Sequence, residues 1–167
     1  MKKATKIAII VFILLIAAAV PLYYYTRPAS TSVGTIQVKG NVGNPMNITL
    51  SQLKTYMAAT IQVTLTSTSS PSENGIHNYT GALLSTLLQQ AHASPNATSV
   101  YIQASDGYGT TISIQDAMNQ RTIIAYARDG SPLTPLRNGG EGPARLIIGT
   151  DQYAQRWIRG VVSIQVS

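Results

Sequence analysis

The sequence of 167 residues contains no cysteine, two histidines, one tryptophan and a single phenylalanine. The missing cysteine excludes disulfide staples, thiolate metal sites, iron–sulfur clusters, covalent haem attachment, a thiol nucleophile and a lipidated cysteine anchor. With only His77 and His92, a three-histidine zinc or copper centre is excluded as well. Charge is also scarce. Residues 28–167 hold 14 charged side chains against 50 Ser, Thr, Asn and Gln. Such a surface changes little as pH falls, because few carboxylate pairs exist for acid to break, and it is expected to suit an acidic exterior.

The net charge of +6 remains to be explained. Lys2, Lys3 and Lys6 precede an uncharged apolar run from Ile7 to Tyr25, and Arg27 closes it. What is left, residues 28–167, carries only +2, so no nucleic-acid partner is expected. At ~1.5 Å per residue the apolar run spans roughly 28 Å, close to the ~30 Å hydrocarbon core of a bilayer. Residues 1–6 therefore read as a cytoplasmic n-region, 7–25 as a transmembrane signal-anchor, 26–35 as a linker and 36–167 as an extracytoplasmic domain. Tyr23, Tyr24 and Tyr25 resemble an interfacial aromatic belt, and the lysines orient the N-terminus inward. The expected location is the cytoplasmic membrane, crossed once, with the domain outside. A cleaved secretory signal, or an archaeal pilin-type leader processed near Ala4, competes with this reading. Asn47, Asn78 and Asn96 each head an N-x-Thr acceptor sequence, which makes them glycosylation candidates on an exterior domain.

Within the domain, alternation predicts strands at Thr35 to Val38, Ile61 to Thr66, Ser99 to Ala104, Thr110 to Ile114, Thr122 to Ala127, Ala144 to Ile148 and Trp157 to Val166. Asp106-Gly107-Tyr108-Gly109 reads as a hairpin turn, and Ser67 to Tyr79 as a loop. Thr49 or Ser51 is expected to cap a short helix through Met57. Thr80 is expected to cap the longest helix, Ala82 to His92, with Leu83, Leu84, Leu87, Leu88 and Ala91 on its apolar face. Gln115 to Asn119 adds a helical turn. The fold class is α+β with strands dominant, around a core expected to be aliphatic because Phe12 lies in the predicted span.

Few motifs carry chemistry. No Gly-x-Ser-x-Gly elbow exists, and the stretch from Asn138 to Gly142 lacks the Lys-Ser/Thr of a phosphate-binding loop. The acids read as structural, Asp106 and Asp129 as turn residues, and His92 as a helix C-terminal residue. His77, in the predicted loop, is a candidate to face a pocket. All six arginines of the domain fall between Arg121 and Arg159. Arginine recognises oxyanions through its planar fork, so these residues define either a positive pocket or a solvated strand face.

The order and wording of the segments carry a resemblance. Tyr79-Thr80-Gly81-Ala82-Leu83-Leu84, Ala104-Ser105-Asp106-Gly107-Tyr108 with Asp116-Ala117, and Ile124-Ala125-Tyr126 with Asp129-Gly130 and Pro132-Leu133 come in sequence. Gly142-Pro143-Ala144-Arg145-Leu146 and Tyr153-Ala154-Gln155-Arg156-Trp157-Ile158-Arg159 follow, and Ile48-Thr49-Leu50 to Leu53 precedes them. Over about residues 33–167 this pattern resembles the oxidoreductase molybdopterin-binding domain, the sulfite-oxidase-type fold. The resemblance implies a strand-rich fold with short helices and a molybdopterin site whose metal is held by a cysteine at the end of the strand corresponding to Ile61 to Thr66. Here that strand runs into Thr66-Ser67-Thr68-Ser69-Ser70, and the Gly-Asn that follows the family's cysteine is absent. A neutral hydroxyl is a poor substitute for a soft thiolate.

The resemblance thus implies a cleft bordered by the loop after Thr66, the Asp106 to Tyr108 turn and the Tyr153 to Arg159 segment. Its anion- or pterin-binding candidates are Arg145, Tyr153, Arg156, Arg159, Tyr108 and His77, with Trp157 read as core. No catalytic residue, metal or cofactor is expected, molybdopterin being the alternative. The expected function is a membrane-anchored binding or accessory domain, set beside partner membrane or surface subunits and taking a small anionic ligand. An active molybdopterin-dependent oxidoreductase and a surface or pilin-like structural protein are the alternatives.

Overall fold

The computed structural model describes residues 34–68 and 70–167. The predicted n-region, span and most of the linker lie outside these residues. Among the described residues no helix is long and apolar enough to cross a membrane.

Two five-stranded sheets make the domain. The first contains β1 (Thr35–Gly40), β2 (Met46–Thr49), β5 (Ser99–Ala104), β6 (Gly109–Ser113) and β10 (Val161–Val166), in the order β2-β1-β10-β5-β6. Its neighbours run antiparallel except β1 and β10, which are parallel with Gln37 opposite Ser163. The second contains β3 (Ala58–Leu65), β4 (Gly75–Leu83), β7 (Thr122–Arg128) and the two-residue β8 (Ser131–Pro132) in that order, with β9 (Arg145–Ile148) also paired to β7. Period-two alternation sets the inner faces: Ile36 and Val38 of β1, Ile61, Val63 and Leu65 of β3, and Val100, Ile102 and Ala104 of β5 are buried. β9 is buried at all four positions, as a strand covered on both faces must be.

Among the described residues three short α-helices complete the fold: α1 (Leu50–Leu53), α2 (Leu84–Gln90) and α3 (Ile114–Met118). Thr49 caps α1 in a reciprocal box with Gln52, which places the cap where the sequence suggested; the helix ends at Leu53 rather than Met57. The longest helix begins later than expected. Residues 75–83 are strand instead of loop and cap, because Ala82 and Leu83 pair with Ile124 and Ile123 of β7. The Thr80 hydroxyl accordingly pairs with that of Thr60 across the sheet rather than capping α2. Gly81 sits at the register shift of β4 against β7, where a Cβ would come within 2.3 Å of the Ile124 carbonyl oxygen. The family-like Tyr-Thr-Gly is thus a strand segment that needs close backbone approach. At the other end of α2, His92 adopts φ 52° and is exposed.

The core is mostly aliphatic, with Leu84, Leu87 and Leu88 of α2 closing it. Tyr79, fully buried, corrects the all-aliphatic expectation, and Trp157, 5% exposed, is core as its reading had it. Trp157 to Gly160 is not strand, apart from a bridge between Arg159 and Arg145, and β10 starts at Val161.

Candidate functional site

At the end of β3 the chain leaves the second sheet through Thr66, Ser67, Thr68 and Ser70 and forms one wall of a cleft of about 500 Å³. Asp106 and Tyr108, from the β5–β6 turn, form another wall, and Tyr153, Trp157 and Arg159 a third. Arg145, the first residue of β9, reaches the cleft from below. Four of the six candidate residues therefore meet here: Tyr108, Arg145, Tyr153 and Arg159. Tyr108 and Tyr153 are exposed at the cleft, at 62% and 50%.

Arg145 is 2% exposed and cannot be buried as a bare cation. Glu141, itself 4% exposed, lies 2.6 Å from its Nη1, and that carboxylate also pairs with Arg128. The Tyr79 hydroxyl donates to Glu141 at 3.1 Å and accepts from Arg145 at 3.0 Å. Burial, with Glu141 nearby and Arg145 opposing it, pushes the Tyr79 phenol up to about 12. The guanidinium lies 5.6 Å from the Tyr79 ring and 5.5 Å from the Trp157 ring, which meet edge to face. Trp157 is both core and cleft wall; its indole N–H donates to the Ile148 carbonyl. Arg145 Nε is left without a hydrogen-bond partner.

Arg159 is tied at the rim, donating to Glu73 at 2.8 Å and to the Ser70 hydroxyl at 3.2 Å. The other two candidates lie elsewhere. Arg156 is not a cleft residue: its guanidinium is shared between Asp151 and Asp116, and these two carboxylates hold its pKa above the ordinary arginine value. His77 stands on β4 rather than in a loop, with Nδ1 2.7 Å from Asp129. Asp129 is held below the usual carboxylate range by the Asn78 backbone N–H and by His77. Asn47, Asn78 and Asn96, the three acceptor asparagines, are exposed.

Four of the six arginines therefore form neither a free positive pocket nor a solvated face, whereas Arg121 and Arg137 are exposed. Arg128, Arg145, Arg156 and Arg159 each meet a carboxylate, because charge withdrawn from water requires an opposite charge beside it. The sequence reading missed Tyr79, Glu73 and Glu141. Glu141 had one signal, being one of only six acids in the chain and standing in a glycine-rich stretch among the arginines.

A molybdenum-bound pterin can be tested against these residues. The position at the end of β3 offers only hydroxyls, and no thiolate exists in the chain. Among the described residues no three His, Asp or Glu side chains converge as a ligand set. The donor set does not fit the metal.

The crystal structure of the sulfane dehydrogenase SoxCD from Paracoccus pantotrophus superposes with a TM-score of 0.69 at 18% sequence identity, covering 84% of this chain and 39% of that chain. At that identity the likeness shows a shared fold, and this chain spans well under half of the other. No curated protein matches the sequence. The family model described as the oxidoreductase molybdopterin binding domain matches residues 26–167. The chain belongs to the oxidoreductase molybdopterin-binding domain family.

Proposed function

We propose that this family member works without molybdenum, as a membrane-anchored extracytoplasmic domain that binds a small anionic ligand and serves as an accessory subunit beside other membrane or surface chains. The observation that carries the loss of the metal is the donor set at the end of β3: Thr66, Ser67, Thr68 and Ser70 stand in the cleft, and the chain has no thiolate to offer. A serine or threonine oxygen would have to be deprotonated to bind the metal, at a far greater cost than a thiol. The ligand reading rests on Arg145 Nε, a buried donor with no protein partner on a residue that lines the cleft. The anchor rests on the apolar run from Ile7 to Tyr25 and its lysine-rich flank.

Purification from the native membrane in mild detergent, followed by metal analysis, pterin fluorescence and identification of co-purifying chains, tests all parts. The expected result is no stoichiometric molybdenum or pterin, release only by detergent, and one or more partner chains. One molybdenum or one pterin per chain would overturn this reading.

A further inference from the structure

His77 lies outside the cleft, yet its contacts run to it. The Nδ1 atom is 2.7 Å from a carboxylate oxygen of Asp129, and Nε2 is 3.1 Å from the backbone carbonyl oxygen of Glu73. Both partners are acceptors. A neutral imidazole has one N–H and one lone pair, so it can satisfy only one of them; the imidazolium donates to both. Asp129 is itself fixed, since its other carboxylate oxygen accepts from the Asn78 backbone N–H and its own N–H donates to the Asn78 carbonyl.

Glu73 closes the 3-10 turn Pro71–Glu73, whose N-cap residue Ser70 lines the cleft. Its backbone carbonyl meets His77, and its carboxylate holds Arg159 at 2.8 Å. Arg159 in turn lines the cleft and donates to Ser70. A continuous path therefore runs from Asp129 through His77 and Glu73 to Arg159. We infer that His77 is a positioning residue: as the imidazolium it clamps the Glu73 turn to β4 and so holds Arg159 in the cleft, and on losing a proton it lets that turn go.

The sign follows from the partners. In the neutral imidazole the N–H kept on Nδ1 faces the Asp129 carboxylate, so a lone pair on Nε2 then faces the Glu73 carbonyl. The other charged or titratable groups around His77 are Arg128, beside Asp129, the Tyr79 ring at 6.4 Å, and Arg159 beyond Glu73. The paired strand β3 faces His77 with Val63 and carries no charged residue. The clamp is whole in acid and open at higher pH. For its consequence in the cleft, this inference rests on the anion-binding reading above.

The test uses the purified full-length chain. Amide exchange of residues 70–76, corrected for the intrinsic pH dependence of exchange, is compared at about pH 5 and about pH 8. Loss of one charge-assisted hydrogen bond is expected to lower protection about tenfold at the higher pH. The Arg159 side-chain N–H resonance is expected to shift with the same midpoint. His77→Gln and, separately, Asp129→Asn should flatten both responses, whereas His92→Gln should leave them intact. Protection that does not change with pH, or a response retained in folded His77→Gln, overturns the inference. Sulfate, divalent across this range, serves as the cleft probe and should bind more tightly in acid in an Arg159-dependent manner. Sulfate that binds with no pH dependence overturns the link to Arg159. If sulfate fails to bind at either pH while the Arg159 resonance still shifts, the clamp stands and the anion-cleft reading falls.

Discussion

The two sheets bury similar aliphatic faces but differ in what they do with charge. The strands of the first sheet, β2-β1-β10-β5-β6, contain one charged side chain, Lys39. The second sheet brings Arg128 from β7 and Arg145 from β9 against Tyr79 of β4, with Glu141 from the loop before β9 locked between them. The first is held by non-directional packing, which tolerates exchange of one apolar group for another. The second contains a buried polar network whose members depend on one another, so removal of one leaves the rest uncompensated. The cleft is built where the two meet.

Breaking the network should therefore cost more than opening the core. Glu141→Gln leaves Arg145 buried beside a neutral amide and is expected to lower stability by about 3–5 kcal/mol, measured by urea denaturation. Replacing Glu141 and Arg145 together by apolar residues should recover much of that loss. In the first sheet, Ile102→Ala is expected to cost about 3 kcal/mol from transfer and cavity formation, with a loss insensitive to salt. A milder probe is pH. With the Tyr79 phenol raised from 10.0 to about 12, the folded state holds that proton more tightly. The stability this contributes is fully present below the ordinary tyrosine value and is lost as pH rises through about 12. Spectrophotometric titration should show one tyrosine ionising after the exposed ones, and Tyr79→Phe should remove that late step. The smallest effect is expected at the partly exposed Arg156 pairs, where Asp116→Asn should cost less than ~1 kcal/mol and less still at high salt. A loss there as large as at Glu141 would erase the distinction between the buried network and the exposed pairs.

Much of the first sheet was legible in the sequence. β1, β5 and β6 alternate apolar and polar residues, and Asp106-Gly107 marks the turn that joins the last two. The start of α2 was not, because Thr80 and Gly81 offer the same local cues for a helix cap as for a strand. Only the pairing of β4 with β3 and β7 chooses between them. At the site, the sequence brought Tyr108, Arg145, Tyr153 and Arg159 to notice, and all four line the cleft. Arg156 looked equivalent to Arg159, three residues away, until Asp151 and Asp116 claimed it.

What the sequence determined alone was local or compositional. Periodicity depends on neighbours two to four residues apart, and the lack of a thiolate ligand follows from counting residues. What the tertiary structure decided was which charges are spent. Glu141 lies 62 residues from Tyr79, and Glu73 lies 86 residues from Arg159. No local pattern records such a pairing, because it is set by which side chains lose their water together.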